Sequence, residues 1–128
     1  MKRRACLTTL ATAVLAPAVR AADPTRPIQI YVDLSVDPAR EKEMLQHFEQ
    51  DFKPAAAKFQ GYMDVKIIKL RKAFTGKAPA GINYRFVLRY QSEELRQKWI
   101  ASDIHQKVWG MIENTLRTKN YDVLLFDE

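Results

Sequence analysis

Two tryptophans and a histidine lie close together on one stretch of the chain. Trp99, His105 and Trp109 fall within residues 90–116, which leave a strand and continue into a helix that Ser92 caps. An imidazole can exchange a proton near neutral pH, and indole rings can form apolar walls around a ligand. This stretch therefore predicts one wall of a ligand cavity, with His105 as the proton-exchanging group.

Other aromatic residues extend the predicted cavity. Phe48 and Phe52 would contribute walls from the first helix, and Phe86 from a strand. Tyr31 offers a second side chain that could exchange a proton with the ligand. A plainer interpretation stays open at this stage. An aromatic stripe at helical spacing is more often core than cavity, and His105, followed by a glutamine and a lysine, could be a solvated surface histidine.

The elements that must position these side chains follow the order strand, helix, strand, strand, helix, strand. Alternating apolar and polar residues predict strands over residues 28–36, 62–71, 82–90 and 121–126. Asp37 and Pro38 begin the first helix, and Gly61 ends it. This order predicts an α+β, ferredoxin-like βαββαβ fold, in which two helices cover one face of a four-stranded antiparallel sheet.

Three irregularities are predicted inside these elements. Pro54 lies within the first helix and lacks an N–H, which predicts a kink near residues 51–52. A phase slip in the apolar pattern of the second strand predicts a bulge at Ile67 and Ile68. Ser102 and Asp103 are poor residues for a helix interior and good caps, so a break in the second helix is expected there.

Charged residues are predicted on the other face of the sheet. Strand one neighbours strand three in this topology, so Asp33 should lie opposite Arg85 and Arg89, and Lys66 could join the group. On a solvent-facing sheet this would be an ion-pair ladder, and inside a dimer a buried, fully paired network. An anion site formed by the two arginines is a further alternative.

Residues 1–21 resemble an export signal, which leaves residues 22–128 as one small domain. Lys2, Arg3 and Arg4 precede a short apolar run, and small residues permit cleavage before Ala22. Cleavage would lower the formal net charge from +6 to +2 and remove the single cysteine. A periplasmic or secreted protein is expected, without thiol chemistry, without a nucleic-acid partner and without membrane attachment once the signal is removed. Two separated histidines without neighbouring acids at ligand spacing predict no metal site.

The strand YRFVLRYQS, running into a helix with a tryptophan and a central Ser-Asp, resembles the antibiotic biosynthesis monooxygenase family of dimeric α+β barrels over residues 28–126. The resemblance implies a homodimer packed sheet on sheet, with a cavity between sheet and helices in each subunit. It also implies oxidation of a phenolic or quinol compound by dioxygen without a cofactor. His105, Tyr31 and Trp99 would then be catalytic, and Phe48, Phe52, Phe86 and Trp109 would bind substrate.

Haem is the alternative cofactor that the resemblance leaves open. One branch of the family degrades haem with a strand-one asparagine, a helix-two tryptophan and a histidine further along that helix. Trp99 matches that tryptophan, but Trp109 stands at the histidine position, and strand one offers Val32 or Asp33 instead of asparagine. The alternative to an enzyme is a non-catalytic module that holds a hydrophobic ligand or haem in the same cavity.

Overall fold

Four strands form one antiparallel sheet in the computed structural model, which describes residues 25–79 and 81–128. The predicted export signal lies outside these residues. The strands are β1 (Ile28–Leu34), β2 (Tyr62–Lys69), β3 (Tyr84–Tyr90) and β4 (Asp122–Asp127), in the order β2-β3-β1-β4. This order, with the helices packed on one face, confirms the predicted ferredoxin-like fold.

The first helical segment is interrupted where a proline follows. A 3₁₀ turn (Pro38–Arg40) leads into α1 (Glu41–His47), a π-helical turn (Phe48–Phe52) and α2 (Lys53–Ala56). The N–H of Lys53 donates to the carbonyl oxygen of Phe48, five residues back. Pro54 has no N–H to continue the regular ladder, and the wider turn absorbs that loss. The irregularity predicted at residues 51–52 therefore takes the form of a π-helical turn.

The second helical segment is two helices with a recap between them. α3 (Glu93–Ile100) begins at Ser92, whose hydroxyl oxygen accepts the N–H of Leu95, and α4 is Asp103–Glu113. Ser102 accepts the N–H of His105 at 3.2 Å, and its hydroxyl donates to the carbonyl of Trp99 at 2.6 Å. The predicted break is confirmed, and it fixes His105 in the first turn of α4.

The bulge predicted in the second strand was misplaced. The register of β2 on β3 shifts between Tyr62 and Asp64, whereas Ile67 and Ile68 pair continuously with β3. Ile68 is 46% exposed because it lies on the face of the sheet away from the helices. The apolar residue that suggested a phase slip is thus an ordinary residue of the open face.

The hydrophobic core lies between the helices and one face of the sheet. Alternate residues of β1 and β3 point into it and are buried, as the period-two pattern predicted. The chain enters β2 through Gly61, whose φ of +98° confirms the left-handed cap predicted at the end of the first helix. Within the described residues, no helix has both the length and the apolar character to cross a membrane.

Candidate active site

A cavity of about 220 Å³ lies between the sheet and the two helical segments. Its walls are aliphatic and aromatic side chains of the sheet and the helices, and Arg96, His105 and Tyr121 add polar groups to them. The lining residues are Ile30, Val32, Phe52, Phe86, Leu88, Arg96, Trp99, Ile100, His105, Trp109, Tyr121 and Val123. The hollow is apolar with a few convergent polar groups, which is the usual character of a small-molecule site.

His105 is held among three aromatic rings. Its imidazole stacks on Trp109 with ring centres 6.4 Å apart and lies edge-on to Trp99 at 5.0 Å and to Phe52 at 6.1 Å. The recap at Ser102 turns α4 so that its first turn presents this ring to the cavity. The structure therefore places His105 in the cavity wall, and the alternative of a fully solvated surface histidine does not apply.

The imidazole is neutral at neutral pH. Burial among apolar rings, assisted by the positive charge of Arg96, lowers the pKa of His105 to about 4. Nδ1 is buried without a hydrogen-bond partner among the described residues, and Nε2 is not one of these buried, unpartnered atoms. Nε2 is consequently the ring atom that can meet a ligand in the cavity.

Arg96 brings a permanent positive charge to the same cavity. Its side chain is only 15% exposed, and its Nε and Nη2 donate to the Glu93 carboxylate at 2.6 and 2.9 Å. Gln97 donates to that carboxylate as well, at 2.5 Å. Salt-bridge spacing on α3 was the only sequence signal for this arginine, and its place in the site was not predicted.

Tyr121 was also missed, because it precedes β4 and was assigned to the last strand. The indole N–H of Trp109 donates to its hydroxyl oxygen at 2.9 Å, and that hydroxyl donates to Glu113 Oε2 at 2.7 Å. Burial, together with the hydrogen bond to Glu113, raises the pKa of Tyr121. This chain of hydrogen bonds fixes the Trp109 ring and places a protonated phenol in the cavity wall.

The remaining predicted site residues divide between the two faces of the sheet. Phe52, Phe86, Trp99 and Trp109 line the cavity as predicted. Phe48 does not: it packs behind them in the core, against the rings of Phe52 and Phe86.

Tyr31 lies on the other side of the sheet, so it cannot be the second proton-exchanging group predicted for the cavity. Its hydroxyl donates to Gln29 Oε1 at 2.7 Å, and its ring lies between Arg85 and Phe126. The cause is the alternation of β1: its neighbours Ile30 and Val32 point to the cavity, so Tyr31 must point away.

The charged group predicted on that open face is only partly as expected. Arg85 holds Asp33 with two hydrogen bonds of 2.6 and 3.0 Å, as the register predicts. Arg89 pairs instead with Glu128, at 2.6 and 2.9 Å, because the end of β4 brings that carboxylate alongside. Both arginines therefore have a carboxylate partner, and the alternative of an anion site formed by the two of them loses its support.

The described residues contain no group of three side chains able to hold a metal ion. Haem does not fit the cavity as it stands. A volume of about 220 Å³ is below the roughly 300 Å³ at which pockets for drug-sized ligands begin, and haem is larger than such ligands. Entry of haem would require the Trp99 and Trp109 walls to separate.

Comparison with known proteins shows relationships at the level of the fold. No family model matches the chain, and no curated protein matches it. Solved structures do match. A dimeric ferredoxin-like protein of unknown function from Jannaschia sp. CCS1 superposes with a TM-score of 0.68 at 14% identity, over 80% of this chain and 99% of that one.

Two further matches carry a functional description. A candidate antibiotic biosynthesis monooxygenase from Caulobacter crescentus CB15 superposes with a TM-score of 0.64 at 16% identity, over 82% of this chain and 92% of that one. SnoaB, a cofactor-independent oxygenase from Streptomyces nogalater, superposes at 0.60 with 12% identity, over 80% and 92%. The chain has the fold of these proteins. At such identities the likeness shows the fold alone, and function must be argued from the cavity.

Proposed function

We propose that the protein is a cofactor-independent monooxygenase that oxidises a small phenolic or quinol-type compound with dioxygen in the cavity between sheet and helices. The observation that carries this proposal is the position of His105, a neutral imidazole in the wall of a largely apolar cavity, with a buried Nδ1 that has no hydrogen-bond partner among the described residues. A core histidine with only a packing role would be expected to have hydrogen-bond partners on its buried nitrogen.

Oxidation of a phenol by dioxygen requires few protein groups besides the imidazole and the aromatic walls. An electron-rich ring supplies all four electrons that dioxygen needs: one oxygen atom replaces a ring hydrogen, the product is a quinone, and the second oxygen atom leaves as water. For phenol itself the balance is phenol plus dioxygen to benzoquinone plus water. The protein must hold the ring, form a hydrogen bond to its oxygen and keep water out. Trp99, Trp109 and Phe52 supply the apolar walls, and His105 supplies the hydrogen bond.

The proposal also covers the oligomeric state and the cellular location of the protein. We infer a homodimer through the open face of the sheet, where Ile68, Leu124 and Phe126 are exposed beside the arginine–carboxylate pairs. A dimeric solved protein of this fold supports the inference. The basic and apolar pattern of residues 1–21 supports export before the domain acts.

Oxygen consumption by the purified protein tests the proposal. A panel of phenols, quinols and hydroxynaphthalenes is supplied at constant pH in an oxygen electrode. The expected result is consumption of one dioxygen per substrate, without hydrogen peroxide and without added flavin or metal. His105→Gln and Trp99→Phe should each lower kcat/KM by about tenfold or more, because the first disturbs the hydrogen bond to the substrate and the second reshapes the apolar wall.

The matched control for His105→Gln is His47→Gln. His47 is the other histidine; it lies on α1 beside Glu43 and Asp51 and does not line the cavity. This variant should retain wild-type turnover. No oxygen uptake across the panel, together with saturable binding of the same compounds, would overturn the oxygenase proposal in favour of a binding module.

A further inference from the structure

The cavity contains one feature that an apolar aromatic ligand does not need. Arg96 lines a hollow whose other walls are aliphatic and aromatic, with His105, Tyr121 and the indole N–H of Trp99 as the neutral polar groups. Its side chain is 15% exposed, compared with 37–41% for Arg85 and Arg89 on the open face. A guanidinium in such a setting is costly unless its donors find acceptors.

Part of this guanidinium has its acceptors already. Glu93 accepts from Nε and Nη2, which are the two nitrogens along one edge of the fork. Within residues 25–79 and 81–128, Nη1 donates no hydrogen bond. Since arginine presents donors in a fixed planar fork, a ligand oxygen can bind at Nη1 without breaking the pair with Glu93.

The imidazole beside it is better suited to donate a hydrogen bond than to remove a proton. A phenol ionises near pH 10, whereas the pKa of His105 is lowered to about 4. Transfer of the proton from an ordinary phenol to this ring would be uphill by about six pKa units, or roughly 8 kcal/mol. A ligand that is already ionised avoids that step, because neutral Nε2–H can donate to its oxygen.

We propose that the cavity binds its aromatic ligand as an anion, with the charged oxygen accepting from Arg96 Nη1 and His105 Nε2 while the ring lies between Trp99 and Trp109. The proposal rests on the cavity being the ligand site of the proposed oxygenase, and it narrows the substrate class to phenolic compounds acidic enough to bind as phenolates, with aromatic carboxylates as ligands of the same charge that are not oxidised. Tyr121 completes the wall but directs its own proton to Glu113 and leaves the ligand oxygen to Arg96 and His105.

Calorimetric binding to the intact protein under argon, at pH 8, tests the proposal without turnover. 4-Nitrophenol is ionised at this pH, whereas its methyl ether is neutral and similar in shape. Benzoate and benzamide form a second matched pair that separates carboxylates from phenolates. The anion should bind at least about tenfold more tightly than its neutral partner in one pair or both, as expected for a hydrogen bond to a charged group.

Substitutions test whether Arg96 causes the preference for the anion. Arg96→Gln should reduce the preference for the anion to below about twofold, whereas Arg96→Lys should retain part of it because the charge remains. Glu93→Gln should maintain or increase the preference, since it removes the carboxylate that competes for the guanidinium. Arg89→Gln, which disrupts a similar arginine–glutamate pair on the open face, should leave the preference unchanged.

The outcomes are separable from those of the oxygenase assay. Equal affinity for charged and neutral partners in the wild type, or a preference that survives in Arg96→Gln, would overturn the proposal. Selective binding of anions without oxygen uptake would support it and refute only the oxygenase. Circular dichroism of Arg96→Gln checks that the variant folds, and Arg96→Lys gives an independent measure if it does not.

Discussion

The two faces of the sheet differ in how completely their polar groups are hydrogen-bonded. On the open face, Asp33 pairs with Arg85, Glu128 pairs with Arg89, and the hydroxyl of Tyr31 donates to a neighbouring side chain. On the helix-covered face, three buried polar atoms lack hydrogen-bond partners among the described residues. These atoms are Tyr90 Oη, Trp99 Nε1 and His105 Nδ1.

This difference indicates where the fold tolerates a cost in stability. Each buried polar atom without a partner costs about 1–3 kcal/mol, and the more exposed Arg89–Glu128 pair opposite contributes about 1 kcal/mol or less. A sequence selected for stability alone would place apolar groups at Trp99 and His105. Retention of these groups at the cavity fits the general finding that poorly satisfied polar atoms concentrate at functional sites.

The largest expected effect comes from removing the ring at the centre of the covered face. Trp99 is fully buried, so Trp99→Ala should lower the free energy of unfolding by about 3–5 kcal/mol through lost burial and an unfilled cavity. Phe126→Ala removes a ring that is 51% exposed on the open face and should cost less than about 1 kcal/mol in a monomer. Urea denaturation followed by circular dichroism measures both.

The same pair of variants tests whether a second chain covers the open face. In a homodimer packed through this face, the cost of Phe126→Ala should rise above about 2 kcal/mol and its unfolding midpoint should depend on protein concentration. The loss of unfolding free energy caused by Trp99→Ala should not depend on protein concentration. A cost for Phe126→Ala that stays small at high concentration would contradict the proposed interface.

A backbone position gives the next largest effect. In Gly61→Ala the new Cβ would lie 2.7 Å from Leu95 Cβ in a left-handed conformation, so strain and overpacking should together cost about 2–4 kcal/mol. Gly76→Ala is the matched control, because its φ is +73° but nothing lies within 4 Å of the new Cβ. It should cost only about 1–2 kcal/mol. Equal costs for the two variants would contradict tight packing between α3 and the turn before β2.

Patterns local to one element were sufficient to predict most of the fold. The caps at Asp37, Ser92 and Ser102 were predicted because a short polar side chain accepts a backbone N–H only a few residues away. The bulge in β2 was misplaced because Ile68 is apolar yet exposed, and an edge strand next to solvent does not have to follow the burial pattern.

The site was predicted less completely, because it depends on residues distant in sequence. Trp99, His105 and Trp109 could be grouped by helical spacing alone. Tyr121 joins them only through its hydrogen bond to Trp109, twelve residues away across a turn. Tyr31 was assigned to the site although alternation along β1 directs it to the opposite face, which could have been deduced from the pattern.

A smaller effect is expected from the buried carboxylate of the open face. The Asp33 side chain is 8% exposed and receives two hydrogen bonds from Arg85, so Arg85→Gln should lower the free energy of unfolding by about 1–3 kcal/mol. Arg89→Gln leaves Glu128 more exposed, at 25%, and should cost less than about 1 kcal/mol. Because Arg85 is itself 41% exposed, a cost near zero would show that solvent replaces it fully.

The smallest expected effect isolates the imidazole of the cavity by its pH dependence. Burial lowers the pKa of His105 from 6.5 to about 4, so between these values the unfolded chain binds more protons than the folded one. The stabilisation is therefore complete above pH 6.5 and is lost as the pH falls toward 4. After allowance for solvent screening, the loss should be on the order of 1–2 kcal/mol. Carboxylates titrate in the same range, so the free energy of unfolding of His105→Gln must be subtracted from that of the wild type at each pH. Both are measured by urea denaturation at intervals between pH 4 and 8.

A difference in free energy that shrinks steadily as the pH falls would support a neutral, buried imidazole. A constant difference would mean that the ring is solvated like the groups of the open face, and the contrast between the two faces would then rest on Trp99 and Tyr90 alone.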